Sequence, residues 1–112
     1  MRLAIVGSRG WANEAAVKEL VEQQPQGTVI VSGGARGVDT MATDAAKAAN
    51  LGVIVFPADW ERHGKMAGMI RNGQIVDCCD QLVAFWDGKS RGTADSINKA
   101  RADGKLWKVI RE

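Results

Sequence analysis

Val29-Ile30-Val31-Ser32-Gly33-Gly34-Ala35-Arg36-Gly37-Val38-Asp39-Thr40-Met41-Ala42 decides how this chain folds. Three β-branched residues, Val29 to Val31, predict a short buried strand that stops at Ser32, where the Gly33-Gly34 pair allows backbone angles that a side chain resists. A helix is expected at once, its start marked by Gly37 and Asp39 and its body, Met41 to Asn50, rich in alanine. Strand, glycine turn and helix N-terminus therefore fall within a few residues of each other. In such a turn, backbone N–H groups and the positive end of the helix dipole converge on a point that a phosphate can approach. Ser32, Arg36 and Asp39 add donors and a carboxylate that a purely structural turn does not need.

Outward from that stretch the same pattern repeats. Leu3 to Val6 is a first apolar strand ending in Gly7-Ser8-Arg9-Gly10, and a helix follows with Ala16, Val17, Leu20 and Val21 on one face. Pro25 and Gly27 stop it. Val53 to Phe56 is a third strand, closed by Pro57. Ala58 to Gly68, with Trp60, Arg62, His63 and Lys65, is expected to be a loop able to cover a ligand. Met69 to Cys79 predicts a helix and Gln81 to Trp86 a fourth strand, which runs into the polar turn Asp87 to Thr93. A helix over Ala94 to Ala102 and a strand over Leu106 to Ile110 complete the chain.

Strands written as unbroken apolar runs and alternating with helices predict a mostly parallel five-stranded sheet covered on both faces, a three-layer α/β/α arrangement. The carboxyl ends of such strands share one rim, where ligands bind at the reversal of strand order. Ser8-Arg9, Ser32 to Arg36 and Gly88 to Thr93 should meet there. Neither a GxGxxG nor a GxxxxGK[ST] signature occurs.

With 112 residues, 46% hydrophobic and 25% charged, the chain suits one globular domain spanning 1–112. No apolar run reaches membrane-span length, and Met1-Arg2-Leu3 enters a strand directly, so a cytoplasmic location without a signal peptide or membrane partner is expected. A net charge of +2 leaves the partner open. The adjacent Cys78 and Cys79 suit neither an ordinary disulfide nor, with a lone His63, a metal site; they are assigned as small apolar residues, and no metal or cofactor is expected.

Gly7-Ser8-Arg9, Ser32 through Asp39, Ala58-Asp59-Trp60-Glu61-Arg62-His63-Gly64-Lys65, Arg71-Asn72 and Phe85 through Thr93 together resemble the YspA-like, cpYpsA-related branch of the SLOG superfamily, found in bacteria and phages. The resemblance covers almost the whole chain. It implies a Rossmann-like domain that binds a nucleotide or nucleotide-derived phosphate ligand, for sensing or sequestration. Ligand contacts are expected from Gly7, Ser8, Arg9, Ser32, Gly33, Gly34, Ala35, Arg36, Gly37, Asp39, Trp60, Arg71, Asn72, Gly88, Ser90, Gly92 and Thr93.

Two relatives of that branch supply alternatives. LOG-type phosphoribohydrolases, which release the base from nucleoside monophosphates, carry an Arg and a Pro-Gly-Gly-x-Gly-Thr-x-x-Glu motif; Arg71 and Gly92-Thr93 match parts of it. Ser96 stands where that motif has its catalytic Glu, so an enzyme of this kind would need Asp95 or Asp39 as its carboxylate. DprA-type proteins, which act on single-stranded DNA, share the Ser-Gly-Gly-Ala-Arg-Gly-x-Asp turn and the Arg-Asn pair. Strand binding is the less favoured alternative, because a net +2 chain without Tyr lacks an obvious charged, aromatic groove.

Arg71 is suited to bidentate phosphate contact, Asn72 to bonding a rim loop, and Ser90 and Thr93 to phosphate contact or helix capping. Trp60 is a candidate base stacker, Trp86 a weaker one, and Trp11 and Trp107 are assigned to packing. His63 is expected to be a loop residue or a ligand hydrogen-bonding group. Four Trp and four Met exceed what so small a core hides, and related domains are commonly dimers, so a homodimer seamed by Met66, Met69 and Ile70 is expected.

Overall fold

A computed structural model describes residues 1–111. Strands β1 (Arg2–Gly7), β2 (Val29–Ser32), β3 (Gly52–Val55), β4 (Gln81–Trp86) and β5 (Leu106–Arg111) are all parallel, in the order β3-β2-β1-β4-β5. The helices are α1 (Glu14–Glu22), α2 (Val38–Ala48), α3 (Trp60–His63), α4 (Ala67–Cys78) and α5 (Arg91–Ala102), with one 3-10 turn at Gly64–Met66.

The apolar runs of the central strands explain the layering. Side chains alternate across a strand, so Leu3, Ile5, Ile30, Val83 and Phe85 face one core, which α1 and α2 complete with Val17, Val21, Val38 and Ala42. Ala4, Val6, Val31, Leu82 and Ala84 face the other, where α4 and α5 add Ile75, Val76, Ile97 and Ala100. Burial of each Leu, Ile or Val contributes about 1.5–3 kcal/mol. Trp11 belongs to the first core as expected, with its ring edge-on to Phe85 at 5.4 Å between centroids.

Trp107 departs from its packing assignment. It lies on the edge strand β5, 40% exposed, with the Lys108 ammonium 4.5 Å from its ring centroid. Several boundaries also move. Ala58 to Gly68 is largely helical, because the Asp59 side chain accepts the Arg62 N–H at 3.1 Å to cap α3. The α4 helix begins at Ala67 rather than Met69. The α5 helix begins at Arg91 rather than Ala94, so Gly92 and Thr93 lie in its first turn and not in the preceding loop.

Strand order reverses at β1: the chain builds outward through β2 and β3 on one side and returns to place β4 and β5 on the other. A crevice therefore opens between the carboxyl ends of β1 and β4. Gly7 makes the close approach there, since a Cβ at that position would lie 2.5 Å from the Phe85 carbonyl oxygen and 2.6 Å from Val38 Cγ2.

Candidate functional site

A cavity of about 350 Å³ occupies this crevice. The loop after β1 contributes Gly7, Ser8, Arg9 and Gly10; the β2–α2 segment contributes Ala35 and Asp39. From α4 come Arg71, Asn72 and Ile75, and from the β4–α5 segment Ser90, Gly92, Thr93 and Ser96. Arginines, hydroxyls and a helix N-terminus thus share one concave wall.

Hydrogen bonds fix most of these groups. The Ser8 N–H donates to the Phe85 carbonyl at 3.0 Å, while Ser8 Oγ accepts the Asp87 N–H at 3.1 Å and lies 3.0 Å from Ser90 Oγ. Ser90 Oγ also donates to Asp87 Oδ2 at 2.9 Å, and Asp87 Oδ1 accepts the Lys89 and Ser90 N–H groups, both at 2.8 Å. Those two N–H groups hold the Asp87 carboxyl down at about 2. Ser90 precedes α5 without capping it, because its hydroxyl is engaged by Asp87 and Ser8. The first turn of α5 meets the cavity through Gly92 and Thr93, and a Cβ built on Gly92 finds no atom within 4 Å. This helix start is open to an anion.

The β2–α2 turn is different. Asp39 Oδ2 accepts the Ala35 N–H at 3.1 Å, so the chain's own carboxylate occupies the place that the sequence suggested for a phosphate. Burial pushes the Asp39 carboxyl up to about 6, opposed by the Ala35 N–H, the Arg71 charge, the Gly33 N–H and the Arg9 charge. Ser32 is fully buried, its Oγ 3.4 Å from both the Asp39 carbonyl oxygen and the Gly34 nitrogen. At Gly33, a Cβ would run into the Arg71 guanidinium, with Asp39 Oδ2 at 2.9 Å. Gly37, at φ 78°, packs against the preceding loop: a Cβ there would lie 2.5 Å from the Arg9 carbonyl oxygen. The glycines of this turn make room for protein atoms.

Arg71 and Asn72 join the two halves of the wall. Arg71 Nη1 donates to the Gly33 carbonyl at 2.7 Å and Nε to Asn72 Oδ1 at 3.0 Å. Asn72 Nδ2 in turn donates to the Gly92 carbonyl at 3.2 Å and to Asp95 Oδ2 at 3.1 Å. Asn72 thus bonds the first turns of α5 rather than the rim loop expected for it. Asp95 is also paired with Lys99 Nζ at 2.5 Å and does not line the cavity, which leaves Asp39 as its one lining carboxylate among the described residues.

Among the residues expected to touch a ligand, Ser32, Gly33, Gly34, Arg36, Gly37, Trp60 and Gly88 do not line this cavity. Gly34, at φ 70°, faces the Val55 side chain, and Gly88, at φ 82°, faces Arg111. Trp60 is 55% exposed on α3, over Gly68. Trp86 is half-buried, its Nε1 donating to the Ser90 carbonyl at 3.0 Å, with the Arg111 guanidinium 5.1 Å from its ring. Val6, Gly10, Ile75 and Ser96 line the cavity without having been expected to. For Ser96 a signal existed, since it stands three residues after Thr93 on the same helical face.

The model of the YspA, cpYpsA-related SLOG family matches residues 1–63. The chain belongs to that family. The Gene 61 protein of Mycobacterium phage D29 is 36% identical over 113 residues, covering 92% of this chain and 90% of its own. Among solved structures, DNA processing protein A (DprA) of Streptococcus pneumoniae superposes with a TM-score of 0.80 at 21% identity, over 96% of this chain and 49% of its own. DNA processing protein A of Helicobacter pylori, described for its single-stranded DNA binding mode, gives 0.70 at 21% identity, over 100% of this chain and 66% of its own. This SLOG chain therefore spans about half the length of the first and shares the Rossmann-like fold of both. Among the described residues, no helix is long and apolar enough to cross a membrane.

Proposed function

We propose that this SLOG domain binds a nucleotide or nucleotide-derived phosphate ligand in the rim cavity, for sensing or sequestration rather than turnover. The observation that carries this reading is the convergence of the open α5 N-terminus with Arg9, Arg71 and the hydroxyls of Thr93 and Ser96 on one wall. Two features argue against hydrolysis. Ser96 stands where phosphoribohydrolases have a glutamate, and Asp95 is engaged by Asn72 and Lys99 away from the wall. Among the described residues that line the cavity, Asp39, its carboxyl pushed up to about 6 by burial, is the carboxylate placed to serve as a general acid or base.

A thermal-shift screen across nucleoside phosphates, ADP-ribose and cyclic dinucleotides tests the reading directly. A ligand at a hundred times its dissociation constant adds about 2.7 kcal/mol of stability, and no shift from any of them removes the proposal. Base release from nucleoside monophosphates that is lost in Asp39→Asn would favour the phosphoribohydrolase-like alternative.

The fold shared with DNA processing protein A favours a second reading, single-stranded DNA at the same rim. Exposed Arg9, Arg36, Arg62, Lys65 and Arg91 belong to segments that follow the carboxyl ends of the strands, as does exposed Trp60. Strand affinity that falls steeply with salt would favour it. We also propose that the exposed Met66, Met69 and Ile70 seam a homodimer in the cytoplasm. Sedimentation equilibrium showing only the 12.0 kDa monomer removes that part, and a dimer lost in Met69→Glu supports it.

A further inference from the structure

Arg71 lines two cavities. Beyond the rim cavity, a second of about 420 Å³ lies between the end of β3, α3 and α4. Its apolar wall is Phe56, Pro57, Ala67 and Ile70; its polar groups are Asp59, Arg62, His63 and Gln74. This is the segment Ala58 to Gly68, which the rim cavity does not use.

The composition of this second cavity suits a nucleobase. A base needs a flat apolar surface for its face and donors and acceptors for its edge, and Phe56, Pro57 and Ile70 supply the first while His63 and Gln74 supply both kinds of the second. The Arg62 guanidinium adds donors only. Asp59 is already engaged as the cap of α3, so its carboxylate need not repel a ligand at full strength.

Arg71 is equipped to join the cavities. Of the five N–H donors of a guanidinium, one from Nε is used by Asn72 and one from Nη1 by Gly33, leaving three. These two bonds hold the side chain in place at the boundary. Each cavity alone exceeds the roughly 300 Å³ at which small-molecule sites begin, so a mononucleotide fills one and leaves the other unused.

Resting on the nucleotide reading of the rim cavity, we infer that the second cavity is a nucleobase subsite, and that the ligand of this domain contains two nucleoside units joined through a phosphate held at Arg71. Such a unit is either a free dinucleotide or two residues within a single strand.

Calorimetry on the intact chain tests this with 5′-phosphorylated dinucleotides of each base beside the corresponding nucleoside monophosphates. At least one dinucleotide is expected to bind about tenfold or more tightly than its monophosphate. His63→Ala and Gln74→Ala should erase that advantage while leaving monophosphate affinity and thermal stability unchanged. Equal affinity of dinucleotide and monophosphate, or an advantage that survives both substitutions, overturns the second subsite and spares the first. No binding of either overturns both. A longer strand that binds no better than the dinucleotide identifies a free dinucleotide as the source, whereas a further gain that falls steeply with salt identifies a strand.

Discussion

The turns after β2 and after β4 are each folded around an aspartate, yet the two carboxylates respond in opposite ways. Asp87 is solvent-facing and accepts two N–H groups and a hydroxyl, which hold its carboxyl down at about 2. Asp39 is only 5% exposed and accepts the Ala35 N–H, and desolvation pushes its carboxyl up to about 6. A ligand fits beside one turn and not the other. The β2–α2 turn is filled by Asp39 and Arg71 and is closed by its own chain. In the β4–α5 turn Asp87 is satisfied outside the helix, so the first turn of α5 stays open.

Glycine substitutions should separate the turns most strongly. Gly37→Ala forces a side chain to φ 78° and against the Arg9 backbone, and should cost about 3 kcal/mol or more in urea unfolding. Gly92→Ala meets nothing within 4 Å and replaces a helical glycine, so stability should hold or rise by up to about 1 kcal/mol. Ligand affinity should fall in Gly92→Ala, because the new methyl stands at the cavity wall. Equal destabilisation by the two would show that the turns are packed alike.

The buried carboxylate gives a pH signature. The Asp39 carboxyl lies above its ordinary 3.8 in the folded chain, so between about pH 4 and 6 the folded state holds a proton that the unfolded state has released. Stability is therefore highest below about pH 4 as far as Asp39 is concerned, falls as pH rises through 6, and is flat above. The full change is on the order of 3 kcal/mol. Asp39→Asn keeps an acceptor for the Ala35 N–H and should remove this slope from urea denaturation across that range. An unchanged slope in the variant would assign the pH dependence elsewhere.

Arg71 bridges the closed turn and the open cavity, and its replacement by Lys sharpens the contrast. Lysine keeps the charge but cannot donate to Gly33 and Asn72 while presenting a fork to a phosphate, so affinity should drop by about 2 kcal/mol, near thirtyfold. Calorimetry reads this, and undiminished affinity would show that the ligand does not engage the guanidinium.

Much of this was legible in the sequence, because strands buried on both faces leave unbroken apolar runs and each run ends in a glycine turn. Leu3 to Val6, Val29 to Val31 and Leu82 to Phe85 announced the three inner strands of a parallel sheet. Ser8, Arg9, Ser90 and Thr93 could be placed at the site because polar residues after such strands share a rim. Strand order could not be read, and it alone puts the crevice between β1 and β4. Nor could the role of Asp39: a carboxylate four residues after Ala35 suits a ligand contact and an internal N–H acceptor equally, and only the fold chooses. The place of Trp60 could not be read for a related reason. An aromatic residue in a polar segment attracts a stacking role, yet α3 carries it away from the rim cavity.

The smallest effects should come from paired hydroxyl deletions, one in each turn. Ser32 Oγ sits fully buried between the Asp39 carbonyl and the Gly34 N–H, so Ser32→Ala removes both contacts and should cost about 1 kcal/mol of stability. Affinity for the ligand should barely change, since Ser32 does not line the cavity. Thr93 lines it from the first turn of α5, and its hydroxyl is available to a ligand. Thr93→Val keeps the shape and the β-branching, so stability should stay within about 0.5 kcal/mol, while the lost hydrogen bond lowers affinity about fivefold, near 1 kcal/mol. Urea unfolding and calorimetry on both variants give four numbers. The closed and open assignments predict that stability moves only in Ser32→Ala and affinity only in Thr93→Val, and a reversal of either pair would exchange the roles of the two turns.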